Sequence, residues 1–545
     1  MRGTRWLRLG LAVALLGVTA TAFGTAGAAA APTPTRGLFS LTTERRAELK
    51  ALRSGIYGGA LSGSASSMLD IMLKGTPSPE PDAKAAGPSF LPGPLAPVAE
   101  VRVNDPADDG YMYRENTTQS EPTLTMAGSN IVVAFNDDGA FTTGAGTGFT
   151  GYATSTDGGT SFTDHLLPQP PGFSSFGDPV LATDRSGEVY LSTLAGDFTT
   201  GLAPIVVYRS SDSGQTFPET SILPQRREFA FSDKEWMTVG PNPANLANDV
   251  LYVASTEFSW KAPVIVLSRS VDGGATWSRA KVIAPADVVN TKTRFRATYG
   301  TGVSLAVDPA TGRLYAAWEE TKLSSELPDF ESDTHRIMLI SSDDAGRTFT
   351  APVKIGRAKV LAGATQACGR AALGFGPSSG VRVQSFPTIA VGFEGRVFAT
   401  FDATSDTGVS RVVVSMSGDG GSSWTRTRVP STMDAFMPSV AADDTGVSVT
   451  YYERTRHTAL TTNLATAAAT GGTFTAGPLA STDFGVPSTN PNFDPLIAPC
   501  YMGDYNAVLR SAGTTYAVWG DNRDLVVNPT FPSGRPDPNV YFGKV

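Results

Sequence analysis

The chain has 545 residues, enough for several ordinary domains, and carries 57 glycines and 38 prolines with only 17% charged residues. That balance suits a turn-rich β protein and argues against a helical bundle, which would draw more on Ala, Leu, Glu and Lys. A net charge of -8 without a concentrated basic face argues against a nucleic-acid partner, and no Lys/Arg-rich amphipathic stretch suits a membrane surface.

At the N-terminus, Arg2, Arg5 and Arg8 precede an apolar run from Leu9 to about Phe23 and a small-residue region ending in Ala28 to Ala31. This order predicts a secretory signal peptide over residues 1–31, cleaved near Ala30 or Ala31. The run falls short of the roughly 20 residues that span a bilayer. A secreted protein, off the membrane after cleavage, is the expectation. Residues 32–97 differ from the rest. Thr42 to Tyr57 and Ser64 to Gly75 each predict a short helix, with Thr42 and Ser64 as N-caps. The Pro-, Gly- and Ala-rich stretch from Thr76 to Pro97 predicts an extended linker. The segment reads equally as a spacer, a pro-segment or a small flap.

From about residue 98 to Val545 one pattern recurs, and repeats decide the fold before local detail does. Short apolar first strands begin at Glu121, Asp178, Glu235, Val303, Phe386, Met437 and Asn506, each followed by a second strand such as NIVVAFND or RLYAAWEE. A third strand then leads into a glycine-rich turn. The turns STDGGTSF from Ser155, SSDSGQTF from Ser210, SVDGGATW from Ser270, SDDAGRTF from Ser342 and SGDGGSSW from Ser417 all fit S-x-D-x-G-x-[ST]-[FW]. A worn copy surrounds Gly472, Thr473 and Phe474, and the last unit ends at NVYFGKV without one. The Asp carboxylate accepts backbone N–H bonds inside the hairpin, the Gly supplies a positive φ, and the aromatic returns into the layer between sheets. Asp157, Asp212, Asp272, Asp344 and Asp419 are therefore expected to be structural.

These turns resemble the Asp-boxes, or BNR repeats, of bacterial sialidases and related secreted propellers. The resemblance covers roughly Pro97 to Val545 and implies an all-β propeller. Sialidases have six blades, whereas seven first strands predict a seven-bladed β-propeller here. The last unit supplies three strands of its own, and Pro97 to Asn104 is the candidate for the outer strand that closes the ring.

The loops on the face opposite the turns carry the charged and tyrosine residues in which glycosidic chemistry would reside. The resemblance implies an arginine clamp for a substrate carboxylate, an Asp acid/base and a Tyr nucleophile activated by a Glu. Carried over, Arg114 is the first arginine, Asp137 or Asp138 the acid/base, and Glu257 or Glu319 the activator. Arg296 and Arg454 complete the clamp, with Arg523 on the same face, and Tyr451, Tyr452 or Tyr505 is the nucleophile. The sialidase F/Y-R-I-P motif is replaced by YMYRENT around Arg114. Two functions follow as expectations: an exo-glycosidase of terminal sugars on extracellular glycans or glycoproteins, or a propeller that binds them without catalysis. A monomer without cofactor is expected.

Other motifs lack their context. GTGFTG from Gly146 leads into a strand rather than a nucleotide-binding helix, and GPSSG from Gly376 lacks the strand–helix setting of a nucleophile elbow. His165, His335 and His457 are too scattered for zinc, and DPADDG from Asp105 lacks calcium-loop spacing, so no metal is expected. The two cysteines, Cys368 and Cys500, predict one disulfide in an oxidising compartment, two free thiols being the alternative.

Overall fold

The structure, a computed structural model, describes residues 41–54, 57, 60–75, 89–91, 100–108, 118–139, 148–227, 230–259, 262–291, 295–324, 335–358, 372–376, 379–383, 386–404, 408–456, 459–486, 497, 500–527 and 532–545. Seven antiparallel sheets, each of at least four strands, form a seven-bladed β-propeller. The first runs Gln119–Ala127, Asn130–Asp137, Thr150–Ser155, Thr163–Leu166, from innermost to outermost strand. The innermost strands of the other six begin at Val180, Phe231, Phe295, Thr388, Ala435 and Ala507. Each innermost strand touches that of the next sheet, and the seventh touches the first, so the ring is closed. The seventh sheet takes Glu100–Arg102 as its outer strand, paired with Tyr541–Gly543. Closure through this pairing leaves no open sheet edge at the junction.

Side chains that alternate along each strand fill the two layers on either side of it. Tyr451 lies between the fifth and sixth sheets and Tyr452 between the sixth and seventh. The aromatics of the glycine-rich turns pack into these layers too. Phe217 enters the one between the first and second sheets, Phe349 that between the third and fourth, and Trp424 that between the fourth and fifth. Phe474 of the worn copy is buried in the same way.

The five turns repeat one geometry. In the third sheet, Ser270 Oγ donates to Asp272 Oδ1 at 2.7 Å, and Gly274 N donates to Ser270 Oγ at 2.9 Å. Thr276 closes the loop, its N–H reaching Asp272 Oδ1 at 2.9 Å and its hydroxyl Oδ2 at 2.5 Å. Hydrogen bonds from Thr276 and Ser270 hold Asp272 down at about 2. Such a group stabilises the fold above its ordinary range and loses that contribution as the pH falls toward 2. Asp272→Asn should therefore lose about 1 kcal/mol at pH 7, read by denaturant unfolding, and the gap from wild type should narrow at pH 3. A gap independent of pH would contradict this role.

Two helices precede the propeller strands: α1, Thr43–Ser54, and α2, Gly63–Lys74. Thr42 Oγ1 accepts from Arg45 N at 3.1 Å at the start of α1. The N-cap of α2 is Ser62 rather than Ser64, its hydroxyl accepting from Ala65 N at 2.8 Å. The helices are joined by an Arg53–Asp70 ion pair at 3.0 Å, and Arg45 anchors α1 to Gly201 O at 2.6 Å. Leu49, Leu52, Ala65, Met68, Leu69, Ile71 and Met72 are buried against Phe149, Phe176, Leu194 and Phe231 of the propeller. No helix among the described residues is long and apolar enough to cross a membrane.

Candidate functional site

Five of the seven innermost strands have a break in the ladder within or just ahead of them. Pairing skips two residues at Glu121–Pro122, Lys234–Glu235, Gly302–Val303 and Met437–Pro438, and Asp178–Pro179 stands just ahead of its strand. The leading residue is left-handed every time: φ is 52° at Glu121, 54° at Asp178, 55° at Lys234, 63° at Gly302 and 48° at Met437. Outside glycine this conformation is costly, and residues held in it concentrate at functional sites. The bulge re-aims the side chain, and in a ring of sheets the shared direction is inward.

The consequence is a buried polar cluster drawn from loops before five of the seven sheets. Tyr501 donates a short hydrogen bond to Glu121 Oε1, which also accepts from Asp504 N at 2.7 Å. Asn136 Nδ2 donates to Glu121 Oε2 at 2.9 Å, while Asn136 Oδ1 accepts from Asp178 N at 2.7 Å. Lys234 forms a close ion pair with Asp504 Oδ2 and sits 4.7 Å from the centre of the Phe386 ring. Arg382 Nε stands 3.5 Å from Asp504 Oδ1. Neither oxygen of Glu235 has a hydrogen-bond partner among the described residues.

Burial sets the protonation of the cluster. Burial first, then the charges of Glu121 and Asp233, pushes Asp178 well above the ordinary carboxylate range. Burial does the same to Glu235, with Asp233 and Glu121 adding to it. Burial also raises the Tyr501 and Tyr505 phenols, again helped by Glu121 and Asp178. Lys234 moves down to about 8 through burial and the nearby Arg382. The site thus holds carboxyls that burial raises beside a tyrosine–glutamate pair, the kind of groups that general acid and nucleophilic catalysis use.

The residues expected at the site are distributed differently. Tyr505 reaches the axial cluster, where its hydroxyl donates to Pro179 O at 2.9 Å. Tyr451 is turned into an inter-sheet layer and donates to Pro430 O at 2.8 Å. Asp137 is buried in the first sheet, accepting from Gln119 Nε2 at 3.3 Å. Glu257 receives both Arg226 N and Nε, at 2.9 and 3.0 Å, and Glu319 pairs with the buried His335. The arginines stand apart on three sheets, each with its own carboxylate: Arg296 with Asp287, Arg454 with Asp434, and Arg523 with Asp521 and Glu100. Each of these ion pairs joins the arginine to a carboxylate of its own sheet or of the loop leading into it. Arg114 and Cys368 lie outside the described residues. Cys500 is disulfide-bonded and directly precedes Tyr501, and its carbonyl accepts from Arg382 N at 2.8 Å. Glu121, Lys234, Arg382 and Tyr501 were not among the residues expected from the sequence. Of these only Glu121 shares a positional feature, standing immediately before a proline as Asp178 and Met437 do.

A pocket of about 700 Å³ opens to one side, lined by Leu52, Tyr57, Arg226, Val264, Val288 and Phe295. The axial cluster is instead covered by the tip of α2. Ser62 N donates to Asp233 Oδ2 at 2.8 Å, Arg382 Nη2 donates to Leu61 O at 2.6 Å, and Asn136 Nδ2 reaches Ser64 Oγ at 3.1 Å.

Fold and site together define a closed seven-bladed propeller with an axial carboxylate–tyrosine centre. No protein-family model matches the sequence, and no curated protein matches it. Among solved structures, the chain is similar to a PL25 ulvan lyase, at 8% identity over 78% of this chain and 94% of the other, with a TM-score of 0.48. It is also similar to the arabinobiose-bound alpha-L-arabinanase of Penicillium chrysogenum, at 12% identity over 83% and 98%, TM-score 0.39. A third similarity is to the Hadza microbial sialidase Hz136, at 13% identity over 73% of each chain, TM-score 0.37.

Proposed function

We propose that this protein is an exported exo-glycosidase of sialidase-like, Asp-box (BNR-repeat) architecture that removes terminal sugars from extracellular glycans and glycoproteins at its axial cluster. The observation that carries this reading is the Tyr501–Glu121 hydrogen bond, set beside the Asp178 and Glu235 carboxyls, which burial raises. In the reaction, the Tyr501 oxygen attacks the anomeric carbon as its proton passes to Glu121. The glycosidic C–O bond breaks, and the leaving oxygen takes a proton from Asp178 or Glu235. Water then attacks the sugar–tyrosine bond, giving one proton to the ionised acid, while the departing Tyr501 oxygen recovers its own from Glu121. The protein ends as it began. The disulfide at Cys500 supports export, since such bonds persist in oxidising compartments. Closure of the ring supports a monomer.

The test is incubation of the purified protein with a panel of fluorogenic aryl glycosides, a sialoside among them. Because α2 covers the cluster, the panel is run on the intact chain and on a chain cut between residues 76 and 88. Turnover of at least one glycoside is expected, and Tyr451→Phe should leave kcat/KM unchanged because its hydroxyl serves an inter-sheet contact. Glycan binding without turnover in either form would replace the enzyme with a binding propeller.

A further inference from the structure

Helix α2 is an odd piece of core. Its middle and C-terminal half bury Met68, Leu69, Ile71 and Met72, as a docked amphipathic helix should. Its tip is polar and is buried just as completely: Ser62 and Ser64 are 0% exposed, and Ser66 and Ser67 are buried with them. Hydroxyl-bearing residues are mostly exposed in proteins and are rarely chosen to fill a permanent interior. Here they pack onto a cluster that is itself polar. Leu61 O takes a hydrogen bond from Arg382, Ser62 N–H gives one to Asp233, and the Ser64 hydroxyl meets Asn136. The propeller makes close room for this tip. A Cβ on Gly177 would fall 2.6 Å from Ser64 Oγ, and one on Gly63 would fall 2.3 Å from the Tyr501 ring.

We infer that residues 41–75 are an intramolecular plug whose serine-rich tip occupies the axial site in place of a neutral, polyhydroxyl sugar. The assignment of the ligand rests on the glycan-directed reading above. The chemistry of the tip selects the neutral class. Its hydrogen bonds to Arg382, Asp233 and Asn136 are made by the Leu61 carbonyl, the Ser62 N–H and the Ser64 hydroxyl, all uncharged. The tip supplies both acceptors and donors and carries no charge of its own. Tethering keeps the plug at an effective concentration on the order of millimolar or higher. Cutting the tether, or weakening the seat, therefore shifts occupancy without altering the site.

The experiment uses the full chain in two forms. One carries a specific protease site between residues 76 and 88 and is cut after folding. The other carries Gly63→Ala, whose methyl group cannot share space with the Tyr501 ring. Release is followed by hydrogen exchange of the amides of residues 61–69. Exposure of the site is followed by acylation of Lys234, read by mass spectrometry against the exposed Lys354. Both forms should exchange faster over residues 61–69, and Lys234 should be labelled at least about tenfold faster than in the intact chain. Millimolar methyl glycosides of glucose, galactose and mannose should include at least one that slows this labelling, and N-acetylneuraminic acid should slow it less. Retained protection of residues 61–69 and Lys234 in both forms would make α2 a fixed part of the core and overturn the inference. Labelling that no neutral glycoside slows would overturn it as well. Sugar protection of Lys234 with no glycoside turned over leaves the plug standing and removes only the catalytic reading. If Gly63→Ala fails to fold, the cut chain alone decides.

Discussion

Tyr501→Phe is expected to lower kcat by at least about 10³-fold in the unplugged protein, with the propeller still folded. The ring is retained and so is its packing under Gly63. What disappears is the phenolic oxygen that forms the covalent bond and the proton that it passes to Glu121. Glu121→Gln removes the acceptor of that proton and should cost about 10²–10⁴-fold. Tyr505→Phe provides the contrast, because its hydroxyl is already committed to Pro179 O. Its loss should weaken the site's shape more than its chemistry and raise KM rather than lower kcat. The measurement is steady-state kinetics on whichever glycoside the panel identifies, with circular dichroism to confirm folding. Full activity in Tyr501→Phe would end the mechanism proposed.

The second large effect is on stability. Arg523→Met should cost about 3–5 kcal/mol at neutral pH, the usual penalty for breaking a buried ion pair by removing one partner. Arg523 is 9% exposed and lies 4.4 Å from the centre of the Tyr541 ring. It pairs with Asp521 at 2.5 Å and with Glu100 at 2.5 Å, which ties the outer strand of the seventh sheet to its centre. Burial raises Asp521 despite the guanidinium beside it, and without Arg523 it should rise further. A carboxyl raised in the folded state loses stability as the pH climbs through its folded value. The deficit of the variant should therefore be larger at pH 8 than at pH 5, where the orphaned carboxyls take up protons. Denaturant unfolding at the two pH values reads this directly, and kcat/KM should be unaffected. Unchanged stability with a raised KM would return Arg523 to the substrate-binding role that the sequence suggested.

The contrast between Arg523 and Lys234 shows how far the sequence could be read. Arg523 stands in a charged loop, GDNRD, of the kind that looks functional, yet the fold spends it on closing the ring. Lys234 stands in SDKEW, within a strand that reads as architecture, yet a bulge turns it to the axis. Tyr451 and Tyr452 illustrate the same problem. They were attractive as a pair, but adjacent residues on a strand point into opposite layers, and both of these layers are apolar. Tyr505 was legible as part of one charged face. Arg382 and Tyr501 were not, because nothing local distinguishes them from ordinary loop residues. The helices near Thr43 and Gly63 were legible in the sequence, although the second is capped by Ser62 rather than Ser64, and their place over the axis was not.

What the sequence determined by itself was whatever repeats along the chain. Seven first strands and five copies of one aspartate–glycine turn dictate seven sheets, because each turn is built from contacts within a few residues. The charged centre was decided only in three dimensions. Residues from five widely separated stretches of chain become neighbours when the ring closes, and their burial, rather than their identity, raises the Asp178 and Glu235 carboxyls. Local hydrogen bonding leaves a signature in order of residues, whereas convergence on an axis and loss of solvent leave none until the chain has folded.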